Sequence, residues 1–390
     1  AIVAGAIVAE QLSRSNCRIT CQAKIVYLER YLGQNPEIRE NIEEIKLLRE
    51  ELENIRQQKN DKVANKLRLK EMQFGEKPSK YFLNLEKQRI VEKIIVKLID
   101  DNGTVLQEQE AIVKEIGVYY EHLYKFHANL KADDLLSEIN EDHTQRLTDK
   151  ESTSLEGEIS YSEVVFALKN MKNNKAPGQD GFTVEFFKFF FQDLGIYMVC
   201  SMNCAYVSGK LSNTQNIGLI TLLPKGDKVR HFIKNWRPIS LLNVVYKLLS
   251  SCIANRLKKV LPKIIHSNQT GFLAGRFIGE NIRIIYDIIA YAEKENLHGM
   301  IILIDFEKAF DSVSHEFLHR ALSYFNFGNS FRKWIDVLYT DAYSSVMVNG
   351  QITCRFRIER GCRQGDPLSP YLFLLCAEIL GMLIRNSHTV

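Results

Sequence analysis

The sequence lacks the patterned cysteines that would identify a metal-binding or disulfide-stapled fold. Its 8 cysteines form no C-x-x-C pair, although Cys17 and Cys21, and likewise Cys200 and Cys204, lie one helical turn apart. No cluster of His or Cys supplies further ligands, so we interpret both pairs as small buried side chains on helices rather than metal clips. Unpaired thiols are typical of a reducing, intracellular compartment.

Long hydrophobic runs are also missing. The opening residues 1–10 are apolar but too short to span a bilayer, end at Glu10, and lack the basic start of a signal peptide. We therefore expect no membrane association. Neither an internal repeat nor a low-complexity tract is visible. The chain begins with Ala1 rather than Met, and we interpret it as a fragment of a longer open reading frame.

The composition is that of an ordinary globular protein, but its charge is unevenly distributed. The 390 residues are 45% hydrophobic and 25% charged, enough for two or three domains with sizeable cores. Residues 221–263 hold ten lysines and arginines against one acid, Asp227, within a chain of net charge +4. A phosphate-bearing partner would explain this basic segment, and so would a solvated helix face.

Local patterns in the first half predict both helices and strands. Residues 24–72 have the apolar spacing of an amphipathic helix, and Asn102-Gly103 predicts a tight hairpin turn. Ser160 and Glu163 form a capping-box pattern ahead of an apolar run. The phenylalanines between 186 and 191 are typical of a core-facing helix, although an aromatic run could also stack on nucleobases.

The second half carries the residues best suited to chemistry. Residues 219–225 predict a strand with a basic tip, and a long helix is expected from Pro238 onward. The apolar run Ile301 to Ile304 predicts a strand buried on both faces, with Asp305 where the strand leaves the core. Asp311 is interpreted as the N-cap of the next helix.

Six strings in this part of the chain resemble the reverse transcriptases of LINE-type (non-LTR) retrotransposons. Two of them, DFEKAFDSV (305–313) and GCRQGDPLSP (361–370), are similar to the first two palm motifs of that family. The others precede them in family order: NNKAPGQDGF (173–182), LITLLPK (219–225), NWRPISLLNVVYKLLSSCIANRL (235–257) and QTGFLAGRFIGENI (269–282). The aromatic-x-Asp-Asp hairpin that follows in the family does not occur before Val390.

The resemblance implies an α+β right-hand polymerase fold. It divides the chain into an N-terminal helical extension (1–150) with a small hairpin near 94–105, fingers (151–290), and a partial palm (291–390) containing the first two palm motifs only. It also implies an RNA template, a DNA primer, dNTPs, and Mg²⁺ or Mn²⁺. A nuclear and cytoplasmic ribonucleoprotein location is expected from the family.

Functional residues follow from the resemblance motif by motif. Asp305 is the expected catalytic carboxylate, and with the carbonyl of Phe306 it is the expected metal ligand. The residues expected at the incoming nucleotide are Lys225, Arg237, Phe310, Gln364 and Gly365. Those expected along template and primer are Lys258, Lys259, Arg276, Ser369 and Pro370. Core packing is the alternative for Phe310, and Arg363 with Asp366 is a candidate ion pair.

Three alternatives remain open from the sequence. Without the Asp pair the chain is expected to be inactive by itself, so it could act as a non-catalytic nucleic-acid-binding remnant. It could also be a pseudogene product without a stable fold, because half a palm exposes an unpaired strand edge. A group II intron maturase is the related family that fits next best.

Overall fold

Strand β3 and the strands around it form the sheet on which the rest of the fold is assembled. The computed structural model describes residues 94–126, 136, 139, 145–226 and 228–386. Its strands are β1 (Leu98–Ile99), β2 (Val105–Leu106), β3 (Ile217–Pro224), β4 (Trp236–Leu242), β5 (Tyr343–Val348), β6 (Gln351–Ile352) and β7 (Phe356–Arg357). The larger sheet has the order β4-β3-β5-β6, with β7 also paired to β5. Strands β3 and β5 run parallel, and the other pairs are antiparallel.

Helices make up most of the remaining described structure. They are α1 (Gln109–Tyr124), α2 (Asp149–Thr153), α3 (Tyr161–Asn170), α4 (Val184–Phe189), α5 (Phe191–Ser208), α6 (Val244–Leu257), α7 (Leu261–Ile264), α8 (Ile278–Lys294), α9 (His315–Tyr324), α10 (Asn329–Tyr339) and α11 (Ser369–Asn386). No helix within the described ranges is both long and apolar enough to cross a bilayer. The fold is thus a mixture of helices and sheet.

The segment from Trp236 corrects one prediction. Residues 236–242 form strand β4, and the helix begins only at Val244, because β4 pairs with β3 along its whole length. Pro238 has no N–H to donate, and it is tolerated because β4 lies at the edge of the sheet. The predicted strand at 219–225 is present as β3, with Lys225 directly beyond its end.

Two buried clusters hold the described residues together. The larger one joins the helices, and its largest fully buried side chain, Trp334, donates from Nε1 to the Gly157 carbonyl oxygen at 3.0 Å. The smaller cluster packs α1 and the β1–β2 hairpin against one face of the sheet. All described residues belong to one compact unit, residues 93–390. The amphipathic helix predicted for 24–72 lies outside the described residues.

Local predictions at chain turns agree with the structure more often than those about burial. The Ser160–Glu163 capping box is present at the start of α3, and Asn102-Gly103 turns between β1 and β2. Cys200 and Cys204 are exposed on α5 with free thiols, so the prediction that they are buried is wrong. In the phenylalanine run only Phe187 is fully buried, and Phe189 is 80% exposed.

The largest disagreement concerns the apolar run before Asp305. Residues 301–306 have no regular secondary structure, and Leu303 is 85% exposed. The prediction of a buried strand is therefore wrong for the described structure, because no described element covers either face of the run. Helix α8 nearby is also exposed. It carries an apolar face, yet none of its residues is buried.

Candidate functional site

One small cavity is lined by four segments that are far apart in the sequence: helix α1, residues 225–238, the 305–313 string and the loop that carries Gln364. Its basic residues come from the end of β3, from the turn before β4, from β4 itself and from the 305–313 string: Lys225, Lys234, Arg237 and Lys308. Its other lining residues are Tyr119, Tyr120, Leu123, Trp236, Pro238, Asp311 and Gln364. We refer to it as the basic pocket. Its volume of about 180 Å³ is smaller than the ~300–1,000 Å³ typical of whole small-molecule sites.

Lys225 is placed in the basic pocket by the pairing of β3 with β4. Its backbone N–H donates to the Asn235 carbonyl at 2.9 Å, and its Nζ donates to the Lys234 carbonyl at 2.7 Å. Burial lowers the pKa of Lys225, and the neighbouring positive charges of Lys228 and Arg237 lower it further. A lysine whose pKa is lowered by neighbouring cations is stabilised in its charged form when an anion binds beside it.

Lys308 is a further cation of the basic pocket, which the sequence did not single out. Its backbone has a φ of +53°, and its Nζ lies 5.1 Å from the centre of the Tyr119 ring on α1. Arg237 lies on β4 opposite Leu223 and has an exposed side chain. Lys225 and Arg237, both expected at the nucleotide, line one cavity. Their role at a nucleotide stays a prediction.

The loop after Arg360 brings Gln364 to the same cavity. The backbone carbonyl of Gln364 accepts a hydrogen bond from the Ser240 N–H at 2.7 Å, and this bond joins the loop to β4. Gly365 follows with a φ of +106°, and a Cβ there would lie 2.7 Å from the Ser240 carbonyl oxygen. Only glycine fits this approach, so Gly365 allows the loop to lie against the strand.

Asp311 is the buried acid of the site and not a helix cap. It is 1% exposed, and Ser314 is the N-cap of α9, accepting the Phe317 N–H with its hydroxyl. The Asp311 carboxylate accepts hydrogen bonds from the Tyr124 hydroxyl at 2.6 Å and from Gln364 Nε2 at 2.8 Å. Burial raises the pKa of Asp311 to about 6, an effect that these two hydrogen bonds partly offset.

Asp305 and Phe306, by contrast, are exposed. Both lie in the irregular segment 301–306, and the Phe306 ring packs edge-on to Phe373 of α11 with ring centres 5.6 Å apart. The described residues contain no cluster of three or more His, Cys, Asp or Glu side chains suited to hold a metal ion. Asp305 and Phe306 thus bring one carboxylate and one backbone carbonyl to an exposed segment of the chain.

Phe310 is half-buried against the helical core. Its ring centre lies 5.3 Å from that of Phe373 and 6.3 Å from that of Phe272. It does not line the basic pocket. This geometry is that of a packing residue, the alternative weighed for this side chain, although the residue is only partly buried.

The expected template and primer residues fall into two groups. Lys258 and Lys259 are exposed at the end of α6, where Lys258 Nζ lies 5.3 Å from the centre of the Tyr371 ring. Arg276 instead donates to loop carbonyls, among them those of His266 at 2.6 Å and Gln269 at 2.7 Å. Arg276 thus has a structural task in the described fold.

Ser369 and Pro370 begin α11, as predicted. Ser369 is buried, and its hydroxyl donates to the Arg363 carbonyl at 2.9 Å. Asp366 is fully buried and is hydrogen-bonded by Ser250 and Ser369, while the Arg363 guanidinium lies 5.1 Å from the centre of the Tyr246 ring. The suggested Arg363–Asp366 pair is thus replaced by separate partners.

The basic segment 221–263 is not one continuous charged face. Arg256 is buried and pairs with Glu163, its Nε lying 2.6 Å from Oε1, and Lys263 pairs with Glu151. Lys225, Lys234 and Arg237 line the basic pocket. Some cations of the segment therefore stabilise the fold and others line a cavity, while a phosphate-bearing partner stays a prediction.

Comparisons with known proteins place the chain among retrotransposon proteins. Residues 223–390 match the family model described as reverse transcriptase (RNA-dependent DNA polymerase). The chain is 35% identical over 311 residues, 80% of its length, to the transposon TX1 uncharacterized 149 kDa protein of Xenopus laevis, of which it covers 24%. It is 28% identical over 228 residues, 56% of its length, to the Pol polyprotein of the R2 retrotransposable element of Popillia japonica, of which it covers 30%. It is 25% identical over 225 residues, 55% of its length, to the probable RNA-directed DNA polymerase from transposon BS of Drosophila melanogaster, again covering 24%.

Proposed function

We propose, because this chain belongs to the reverse transcriptases of non-LTR retrotransposons, that it binds a deoxynucleoside triphosphate for addition to a primer end on an RNA template. The observation that carries the proposal is the convergence of Lys225, Arg237, Lys308 and Gln364 on one cavity. The chain spans 24% of the length of the TX1 protein and 30% of that of the R2 protein. We therefore propose the polymerase activity for the longer protein, with this chain supplying the nucleotide site.

The basic pocket is suited to the phosphates of the nucleotide. Lysine offers a compact charge and arginine a planar fork, and both bind phosphate oxygens. A cavity of about 180 Å³ accommodates part of a triphosphate and not a whole nucleotide. The base and sugar would then lie outside the cavity, on the side of Gln364 and Gly365, with Phe310 beneath the sugar.

Asp305 and the Phe306 carbonyl would hold a divalent cation. Mg²⁺ prefers oxygen ligands, keeps several waters and uses one or two carboxylates together with substrate phosphates. One exposed carboxylate and one carbonyl fit that donor set. When bound, the ion (or Mn²⁺ in its place) would stabilise charge on the phosphates and the leaving group. Lys225, Arg237 and Lys308 would hold the same phosphates and exclude water from them.

Lys258, Lys259 and the start of α11 would contact the template and primer. Exposed lysines bind phosphate backbones with an affinity that falls as salt concentration rises. Because Ser369 is buried, it and Pro370 would act by placing α11 and not by direct contact. Arg276 would act likewise, by holding its loop.

The proposed domain division follows the family and not a boundary in the described structure. We assign residues 151–290 to the fingers, 291–390 to part of the palm, and 1–150 to an N-terminal extension. The exposed run 301–304 would then lie against a strand from a segment outside this chain. We also propose a nuclear and cytoplasmic ribonucleoprotein location for the longer protein.

Primer extension tests the proposed chemistry. The longer protein that contains this sequence is purified and incubated with poly(rA)–oligo(dT), dTTP and Mg²⁺, and the extended primer is measured on a gel. We expect any incorporation to be lost in Asp305→Asn and kept in Asp341→Asn. Asp341 is a partly exposed carboxylate that pairs with Lys210 and Arg357, and its φ of +51° suits asparagine. Incorporation that persists in Asp305→Asn would contradict the assigned role of this residue.

The second candidate is a nucleic-acid binder without catalysis, favoured by the exposed Lys258 and Lys259. It predicts no incorporation even by the longer protein, together with salt-sensitive binding of an RNA–DNA hybrid. Hybrid binding should survive Asp305→Asn and weaken when Lys258 and Lys259 are neutralised. Binding that is independent of salt would count against both candidates.

A further inference from the structure

We propose that Tyr124, on helix α1, is a positioning residue for the nucleotide site, where it sets the orientation of the Gln364 amide through Asp311. This inference deepens the proposed function and rests on it. Tyr124 lies in the part of the chain assigned to the N-terminal extension, and no motif in the sequence pointed to it. The structure nonetheless joins it to the loop that borders the basic pocket by two consecutive hydrogen bonds.

Asp311, the acid that connects Tyr124 to Gln364, is buried. Asp311 is 1% exposed, so its carboxylate has little contact with water and depends on donors from the protein. The Tyr124 hydroxyl donates to Oδ1 at 2.6 Å, and Gln364 Nε2 donates to Oδ2 at 2.8 Å. The two oxygens of one carboxylate therefore have different partners, one from α1 and one from the loop.

Asp311 determines the orientation of the Gln364 side-chain amide. An ionised carboxylate only accepts hydrogen bonds, so Gln364 must turn its nitrogen toward Asp311. The Gln364 carbonyl oxygen Oε1 is then directed away from the acid. If Asp311 rotates, the amide loses the partner that distinguishes its two ends. Tyr124 holds Asp311 against that rotation and so acts on the side of Gln364 that a ligand would meet.

Tyr124 is itself held in place by contacts with the segment before the Gln364 loop. Its carbonyl accepts the Glu359 N–H at 3.0 Å, and Arg360 Nε donates to the neighbouring Leu123 carbonyl at 2.7 Å. The Tyr124 ring also stacks on Phe356, with ring centres 6.0 Å apart. The end of α1 is thus hydrogen-bonded to the segment that leads into the Gln364 loop, and these bonds restrain the helix relative to the loop.

Helix α1 also forms a wall of the basic pocket, so the helix that holds Asp311 would itself lie beside a bound nucleotide. Tyr119, Tyr120 and Leu123 line the cavity, and the Tyr119 ring lies below Lys308 Nζ at 5.1 Å. One helix therefore contacts a phosphate-binding cation on one side and orients Gln364 on the other. The N-terminal region would in this way contribute to nucleotide selection.

A double-mutant cycle on nucleotide affinity tests the proposal. The dissociation constants of dATP and ATP, each with Mg²⁺, are measured for the wild type, Tyr124→Phe, Gln364→Ala and the double variant. We expect Tyr124→Phe to raise the dATP constant about three- to tenfold and to change the ratio between dATP and ATP. In the Gln364→Ala background the same substitution should have no further effect.

Tyr206→Phe is the matched control, because the Tyr206 hydroxyl donates to Ser330 Oγ at 2.8 Å away from the pocket. It removes a comparable hydrogen bond, and we expect it to leave the ratio unchanged. Additive effects of Tyr124→Phe and Gln364→Ala would overturn the proposal, as would an unchanged dATP constant in Tyr124→Phe. Failure of the wild type to bind either nucleotide would instead overturn the proposed function, and this inference with it.

Discussion

The two halves of the segment 301–313 have opposite environments. Residues 301–306 are exposed and irregular, whereas Asp311 and Val313, a few residues later, are buried. The apolar half is in solvent and the half with a buried acid is in the core. Hydrophobicity alone therefore does not decide burial, because a side chain is buried only where another surface is present to cover it.

The buried half is covered by the second motif. Cys362 N–H donates to the Phe310 carbonyl at 2.6 Å, and Gly361 N–H donates to the Val313 carbonyl at 2.7 Å. These bonds run side by side and fasten the two motifs together. The exposed half has no such neighbour among the described residues, and α8 beside it leaves its apolar face equally open.

Truncating one leucine in each environment tests this contrast most strongly. Leu318 is fully buried on α9 and Leu303 is 85% exposed. We expect Leu318→Ala to lower the free energy of unfolding by about 2–5 kcal/mol and Leu303→Ala to change it by less than about 0.5 kcal/mol. Urea unfolding measures both. A large loss in Leu303→Ala would show that the run is buried in solution.

The pH dependence of stability tests the buried acid. Because burial raises the folded-state pKa of Asp311 from 3.8 to about 6, the folded protein binds this proton more tightly than the unfolded chain. Stability should therefore fall as pH rises from about 4 to 6, by an amount of about 3 kcal/mol or less. Unfolding of the wild type and of Asp311→Asn is compared across that range. Their difference isolates Asp311, since His315 and the other groups titrate in both proteins, and parallel curves would refute the shift.

Alanine substitutions at two glycines, one in the buried contact between the motifs and one before the exposed run, test the same contrast in the backbone. Gly361 has a φ of +90°, and a Cβ there would lie 2.6 Å from the Asp311 carbonyl oxygen, whereas one at Gly299 would meet nothing within 4 Å. Gly361→Ala should cost about 1–3 kcal/mol, and Gly299→Ala should stay within about 0.5 kcal/mol. Thermal melts distinguish them, and equal melting temperatures would argue against the fastened motifs.

Charge on the exposed run should have the smallest effect on stability. We expect Ile302→Glu with Leu303→Glu to leave the unfolding free energy within about 0.5 kcal/mol while reducing binding of the dye ANS and self-association. Fluorescence titration and analytical ultracentrifugation measure these. Unchanged dye binding would mean that the apolar run is already covered in solution.

Features set by local chemistry could be predicted from the sequence. The Ser160–Glu163 box, the Asn102-Gly103 turn, the strand that ends before Lys225 and the start of α11 at Ser369 all depend on neighbouring residues. Lys225, Arg237 and Gln364 were expected through family motifs, and the structure brings them to one pocket.

Features set by distant partners could not be predicted. Asp311 has the local pattern of a helix cap, but its partner Tyr124 lies 187 residues away in the chain. Trp236 to Leu242 became a strand because β3 was available to pair with it. Lys308 could have been found, because it lies within the 305–313 string, whereas Tyr124 had no local signal.

The affinity for dTTP with Mg²⁺ tests the central claim, that the basic pocket binds the phosphates of a nucleotide. The affinity of Lys225→Ala/Arg237→Ala is compared with that of Lys169→Ala/Lys172→Ala, which removes two exposed charges at the end of α3. We predict that the dissociation constant rises by about tenfold or more for the pocket variant and stays unchanged for the control. Equal affinities in the two variants would contradict the assignment of the pocket.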